Sequence, residues 1–365
     1  MSHAPRPRLD ALDLLRGLTV ALMILVNNPG NWNRVYAPLT HAAWNGVTLA
    51  DLVFPAFVVI MGIAVALVLA PQGEGERRHR LEGVILRRAA LLVLLGLLLN
   101  AASAWPHVRD LRLPGVLQRL GITYLATALI VVRTPPRWHV PLAGALYAGH
   151  WALLSAGGPL APGANLGAQV DRALFGAHIL TAAGDPEGVL GTVPCIATAL
   201  LGASAGLWLK HQLAAGRRRA HMAGMLSAAG LAAAATGLAW SAWLPLNKAL
   251  WTGSFALVAT GATWLALAAC LVAERTPLRS ALAPLQWLGL NPLAIYFLSE
   301  LTATVLQRPW GMPLSPKDAL FWNVIVPVAG DHGEPGSSLL YAGGYLLLWA
   351  AVAGLMRWRG VRLRV

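Results

Sequence analysis

The sequence predicts an all-α polytopic membrane protein of about ten transmembrane helices with both termini cytoplasmic. Three observations carry that prediction. Of 365 residues, 57% are apolar and only 12% charged, with a mean hydropathy of +0.59. Apolar runs of roughly 20 residues, the length that spans a hydrocarbon core, recur between short polar breaks. The cations alternate in number from one break to the next.

The first run, 11–27, closes at "ILVNNPG", where asparagines before proline and glycine end a helix. The second, 49–70, opens at "TLAD", a capping box with Thr48 as N-cap and Asp51 three residues on. The third, 84–104, follows a basic break, and the fourth, 115–132, opens in "PGVLQRLGITY". The fifth and sixth are 138–156 and 189–209, the sixth carrying "GASAG", small residues suited to close helix packing. The seventh, 222–240, follows a second strongly basic break. The eighth, 250–272, is entered from "LPLNKALW", and 285–305 and 338–356 complete the set. The run "LFWNVIVPVAG" at 319–329 is too short to span and holds a proline, so it reads as interfacial or re-entrant. The longest break, 157–188, is rich in glycine and proline and contains the short amphipathic helix "AQVDRALFG". No internal repeat or domain-sized polar insert interrupts the pattern, so 1–365 reads as one membrane domain.

The net charge of +13 raises the question of nucleic acid, and the distribution of Lys and Arg answers it. Nineteen of them, Arg6, Arg8, Arg87, Arg88, Arg217, Arg218 and Arg219 among these, fall on one set of segment ends, and seven on the other. That is the positive-inside pattern, and it excludes a basic nucleic-acid face. Cys195 and Cys270 lie in apolar runs, where buried thiols are ordinary. No small-residue cleavage site follows the first run, which therefore reads as a retained helix.

The chemistry-bearing residues concentrate on the cation-poor, outer ends. His41, Trp44 and Asn45 stand together in "HAAWNG". A histidine in a loop is commonly a surface residue, but an indole and an amide beside it suit a sugar ring, and a free imidazole titrates at about 6.5. It can take a proton from an attacking amine or hydroxyl near neutral pH. Asp51 has two compatible readings, a helix cap and an orienter of the imidazole. Asn27 and Asn28 either end the first helix or supply an amide to a developing oxyanion. Arg119 lies one turn into an apolar helix, where it pairs, faces a polar cavity or reaches for the interface. Arg16 has the same readings, with Asp13 as a local partner. Glu300 is a proton-relay candidate or an interfacial cap, and Asn247 with Lys248 marks a helix entrance. No metal-ligand spacing and no phosphate loop occurs.

Six blocks in order, "LDALDLLRGLTVALMILVNNPG", "HAAWNGVTLADLVFPAFVVIMG", "PGVLQRLGITY", "DPEGVLGTVPCIATALLGASAG", "PLNKALWTGSFAL" and "LGLNPLAIYFLSE", resemble the heparan-α-glucosaminide N-acetyltransferase family of transmembrane acetyltransferases. The resemblance implies an enzyme that takes acetyl from cytosolic acetyl-CoA and delivers it across the membrane to the amine of glucosamine or a glucosamine-containing sugar. It places the family's catalytic histidine on His41 and its functional asparagine on Asn27. The loop between them is longer here than the family pattern, which leaves Asn28 as the alternative. It puts Arg16, Gln118, Arg119, Asn247, Lys248, Trp251 and Asn291 forward for acetyl-CoA, with Arg87, Arg88 and Arg217 to Arg219 as further phosphate contacts. Trp44, Asn45 and Asn28 are its expected sugar contacts, and Asp51 positions the loop. The family's animal members carry an extra N-terminal span and lumenal domain not seen here, so a bacterial inner membrane and a periplasmic outer face are expected. A homodimer is expected as well. An amino-sugar transporter, and an acyltransferase for a cell-wall amino sugar or polysaccharide hydroxyl, are the competing functions.

Overall fold

The structure, a computed structural model, describes residues 9–69 and 76–363. Arg6, Arg8 and Arg364, expected among the cytoplasmic cations, lie outside the described residues. The described chain is all helical: α1 (Asp10–Asn27), α2 (Leu49–Val68), α3 (Glu76–Ala104), α4 (Val116–Arg133), α5 (His139–Ala156), α6 (Leu166–Phe175), α7 (Val189–Ala214), α8 (Arg219–Trp240), α9 (Gly253–Ala273), α10 (Leu278–Ala281), α11 (Ala283–Leu290), α12 (Pro292–Leu306), α13 (Pro316–Leu320), α14 (Val326–Ala329) and α15 (Pro335–Trp358).

The loops sort onto two ends of the bundle. At one end Ala11 N–H donates to Glu274 at 2.9 Å, Arg219 pairs with the same carboxylate, Arg279 pairs with Asp10, and Asn291 bonds the carbonyl of Val361. At the other, Gly30 N–H donates to the Ser338 carbonyl, Gly46 N–H to Leu246, and Leu113 N–H to His178. Both ends of the described chain therefore lie together, and α1 and α15 each run the full height.

Among the described residues seven helices (α2, α3, α4, α7, α8, α9 and α15) are long and apolar enough to cross a membrane, or up to eight with α11 and α12 taken as one bent span. The expected count of about ten exceeds this through two 18-residue helices. Asp10, Asp13 and Arg16 charge the first two turns of α1, and His139 and His150 dilute α5. The span expected at 285–305 is bent in the structure: α11 and α12 meet at 88°. Pro292 has no N–H to continue the helix and pushes Asn291 out of helical geometry, to φ −132 and ψ 51. The run 319–329 forms only α13's end, a π turn at Phe321–Ile325 and the four-residue α14. The amphipathic piece in the 157–188 loop is α6, capped by Asn165 accepting Ala168 N–H at 2.9 Å.

The centre is α2 against α7. A Cβ on Gly62 would fall 2.0 Å from the Ala199 carbonyl oxygen, and one on Gly202 of "GASAG" 2.3 Å from that of Val59. Only glycine allows these backbones so close. The apolar windows of α2 and α7 are 61% and 72% buried, against 22% for α3 and 28% for α8 and α15. The latter three turn leucines such as Leu98, Leu231 and Leu347 outward, the surface that lipid covers in a membrane.

Candidate active site

His41 sits in the loop before α2, on the end opposite both ends of the described chain. Asp51, third residue of α2, is 1% exposed and joins that loop to the helix. Its Oδ2 accepts from Ala42 N–H and Thr48 N–H, each at 3.1 Å, and from Thr48 Oγ1 at 3.0 Å. Its Oδ1 lies 2.8 Å from His41 Nδ1. The capping box and the imidazole contact thus coexist on the two oxygens of one carboxylate. An ionised carboxylate only accepts, so Nδ1 carries the proton and Nε2 presents its lone pair. The imidazole side chain is 53% exposed, open to a substrate from that end.

Lys248 completes the cluster. Its Nζ lies 3.5 Å from Asp51 Oδ1 and 3.2 and 3.4 Å from the two nitrogens of His41. Burial pushes its ammonium below the ordinary value, and the Asp51 carboxylate opposes that. The loop that presents it is tightly fixed. Asn247, fully buried, donates to the Trp44 carbonyl and to Asn45 Oδ1 and accepts from Leu250 N–H at 2.8 Å. Trp251 adopts φ +51, a strained value for a bulky residue, with its N–H on the Lys248 carbonyl and Nε1 on Thr198 Oγ1. Asn247, Asn45 and Trp251 therefore build the frame in which Lys248 meets His41.

The remaining predicted residues divide. Asn27 donates to Glu300 at 2.9 Å, whereas Asn28 turns back onto its own helix through the Ile24 carbonyl. Gln118 is buried between Gly96 and Gly115 and donates to the Leu113 carbonyl. Asn291 bonds both the carbonyl of Val361 and the N–H of Leu363, tying the break between α11 and α12 to the end of α15. It lies at the far end of the bundle from His41. Arg16 pairs with Asp13 at 3.1 Å, as its spacing predicts.

Two cavities flank this arrangement. An apolar one of about 170 Å³ runs between α1, α2, α3, α4 and α12, from Arg16 to Val116, and includes Phe54 one turn below Asp51. A second, of about 280 Å³ and mixed in its lining, lies under the 157–188 loop, walled in part by Trp44, Arg119, His150 and Asp171. Phe54, Trp251 and Arg119 stand in a row between the two: the rings meet edge to face at 5.3 Å, and the guanidinium lies 5.3 Å from the indole centroid.

Sequence reasoning missed His150, Asp171 and the Arg112 cluster. Arg112 Nε donates to Asp185 at 2.8 Å and its Nη2 reaches Glu187. Burial raises the Asp185 carboxyl, but the Arg112 bond and charge outweigh it, and the group lies below its ordinary value. The "DPEG" stretch carried a signal in its two carboxylates. Their partner lies more than 70 residues away, which no local pattern reveals.

A family model described as "Heparan-alpha-glucosaminide N-acetyltransferase, catalytic" matches residues 8–235. The chain is 28% identical over 388 aligned positions to the heparan-alpha-glucosaminide N-acetyltransferase of Homo sapiens, covering 87% of this chain and 57% of that protein. The Mus musculus protein of the same name gives the same identity and coverage. The chain thus spans a little over half the length of the curated relatives it matches.

Proposed function

The chain belongs to the heparan-α-glucosaminide N-acetyltransferase family, and from that premise we propose that it moves acetyl from cytosolic acetyl-CoA to the amine of glucosamine, or of a glucosamine-containing sugar, across a bacterial inner membrane. The observation that carries the reading is His41, a half-exposed imidazole with Nδ1 held by buried Asp51 at 2.8 Å and the Lys248 ammonium beside it.

The positive-inside rule supports a cytoplasmic location for the end where the described chain begins and ends, and a periplasmic one for His41. With α1, α5 and the bent pair added to the seven apolar helices, ten crossings result. An 18-residue helix is about 27 Å long, close to the hydrocarbon thickness. The apolar cavity suits the pantetheine arm of the donor. Arg16 at its cytoplasmic side is a phosphate contact, and Phe54 brings its other end to the base of Asp51.

In the direct route the neutral sugar amine attacks the thioester carbonyl while His41 Nε2 takes its proton. The C–N bond forms, the C–S bond breaks, and the proton passes from Nε2 to the departing thiolate. In the two-step route Nε2 itself attacks the thioester carbonyl, the C–S bond breaks and CoA leaves as thiolate; the amine then attacks the acetyl-imidazolium, the C–Nε2 bond breaks to return the imidazole, and the amine's proton goes to the thiolate. Both need Nδ1 protonated, which Asp51 arranges. The Lys248 ammonium and the Asn27 amide are the candidates for stabilising the tetrahedral oxyanion.

The test is full-length protein in vesicles with acetyl-labelled CoA outside the sugar compartment and glucosamine as acceptor. Label should reach the amine with wild type and fall at least 100-fold with His41→Ala. Glucosamine that equilibrates across the membrane without ever gaining label would overturn the reading in favour of transport.

A further inference from the structure

Lys248 stands over the His41 ring. Its Nζ lies 3.2 Å from Nδ1 and 3.4 Å from Nε2. Near-equal reach to both ring nitrogens puts the ammonium over the ring face, because in the ring plane it would collide with the carbon between them. Asp51 Oδ1 is 2.8 Å from Nδ1 and 3.5 Å from Nζ, so the carboxylate holds the nitrogen farther from the reacting one. The lysine side chain is 19% exposed. Its loop is fixed by Asn247, bonded to Trp44 and Asn45, and by Trp251, whose N–H donates to the Lys248 carbonyl.

That placement bears on whatever gives its proton to His41. An acceptor nitrogen can do so only within about 2.6–3.2 Å of Nε2. With Nζ 3.4 Å from the same atom, the acceptor nitrogen then lies at most about 6.6 Å from the ammonium. At about 6 Å and an effective dielectric of about 20, a second positive charge is disfavoured about 100-fold. The Asp51 carboxylate cancels part of this from the Nδ1 side, and about tenfold survives. The other charges acting on Lys248 are Glu187, before α7, and Arg119, in α4, and these two oppose each other. An amine that arrives protonated meets like charge, and one that arrives neutral meets none.

We propose that Lys248 is a specificity-determining residue on the acceptor side of the site, whose ammonium admits the neutral form of the acceptor amine and rejects the protonated one. The proposal rests on the reading that the acceptor is an amine whose proton passes to His41. Attack needs the nitrogen lone pair, so the form admitted is the form that reacts. The filter also selects among amines. One flanked by hydroxyls and an acetal carbon loses its proton at lower pH than an alkyl amine, so amino sugars enter near neutral pH while alkyl amines, still charged, are held off. The same ammonium favours the tetrahedral oxyanion, but the two roles leave different traces. An oxyanion contact acts on the acetyl group and is indifferent to the charge with which the amine arrives.

Glucosamine and glucose are titrated calorimetrically into full-length protein saturated with CoA, from about pH 6 to about pH 9, a range that brackets the ionisation of such an amine. Glucose carries no amine and reports every other titration. For wild type the affinity for glucosamine relative to glucose should rise about tenfold as the amine loses its proton, and then level off. Lys248→Met, of similar length without the charge, should hold that rise below about twofold, and Lys248→Arg should keep it. In acetyl-transfer assays the kcat deficit of Lys248→Met should shrink about tenfold as pH passes the ionisation of the amine. If Lys248→Met does not fold, wild type carries the test with the permanently charged N-trimethyl form of glucosamine, which should bind at least about tenfold more weakly than N-acetylglucosamine. A wild-type affinity ratio that does not move with pH overturns the proposal. So does a Lys248→Met deficit that is equal at every pH, or a trimethyl cation that binds as well as the neutral sugar. Should the wild-type rise appear while acetyl never moves, the acetyltransferase reading falls and the charge filter stands. Acetyl transfer without the rise sinks the filter alone.

Discussion

Replacing Asp51 by asparagine separates the cap from the catalyst. Asp51 Oδ2 accepts two backbone N–H groups, of Ala42 and Thr48, and an amide nitrogen cannot take that place. The asparagine oxygen must stay there, so its NH₂ falls opposite His41 Nδ1, 2.8 Å away in the native pair. To accept from it, Nδ1 loses its proton, the proton moves to Nε2, and the base is gone. General-base catalysis contributes about 10²- to 10⁴-fold, and the same exchange in a serine-protease triad costs about 10⁴ through the wrong tautomer. Asp51→Asn should therefore lower kcat by about 10²- to 10⁴-fold, or roughly 3 to 5 kcal/mol of barrier. It also deprives Lys248 of a carboxylate 3.5 Å away, which adds a loss of stability. The control is Thr48→Val, which removes a hydroxyl bonded to the Thr40 carbonyl and to Asp51. A lost cap costs about 1 kcal/mol of stability and leaves the tautomer alone, so the rate should stay within about threefold. Initial rates of labelled acetyl transfer at saturating substrates measure both variants, with thermal stabilisation by CoA as the check on folding. If Asp51→Asn keeps more than about a tenth of the rate, or Thr48→Val loses as much, Asp51 is a helix cap and the tautomer argument is wrong.

Three further outcomes are expected. Glu300 accepts from Asn27 Nδ2 at 2.9 Å and so fixes which way that amide faces. Glu300→Gln releases the choice and should lower kcat about tenfold with KM for acetyl-CoA unmoved, and in a double-mutant cycle it should add little to Asn27→Ala. Arg16→Ala should weaken CoA binding about tenfold or more, as the loss of a charge-assisted contact does, and an unchanged Kd by calorimetry would remove Arg16 from the donor site. The lowered Asp185 carboxyl stabilises the fold above its unfolded value of about 3.9, and that stability is lost as pH falls through its folded value. Thermal scans from pH 5 downward should therefore show a steeper fall in Tm for wild type than for Asp185→Asn, and parallel curves would refute the assignment.

The sequence alone determined the class of protein. Apolar runs of membrane length and an alternating cation count are one-dimensional signals, because hydrocarbon thickness sets the first and charge retention the second. Thr48 and Asp51 were legible for the same reason, since a capping box is a local pattern. The block resemblance brought His41 and Asn27 forward, and "GASAG" announced the close packing of α7 on α2. Tertiary structure decided what depends on distant pairs. It joined Lys248 to His41 across 207 positions and Asn27 to Glu300 across 273. Asn247, Gln118 and Asn291 carry polar side chains in their blocks, but each spends its bonds on backbone or on another side chain of the frame. The bend at Asn291 hides inside a continuous apolar run, because hydropathy does not register a proline's missing N–H. Arg119 drew notice as a charge in an apolar helix and, through the block resemblance, as an acetyl-CoA contact. That it lies with His150 in the wall of one cavity follows from how α4, α5 and α7 pack around it, and packing is information that no single segment contains.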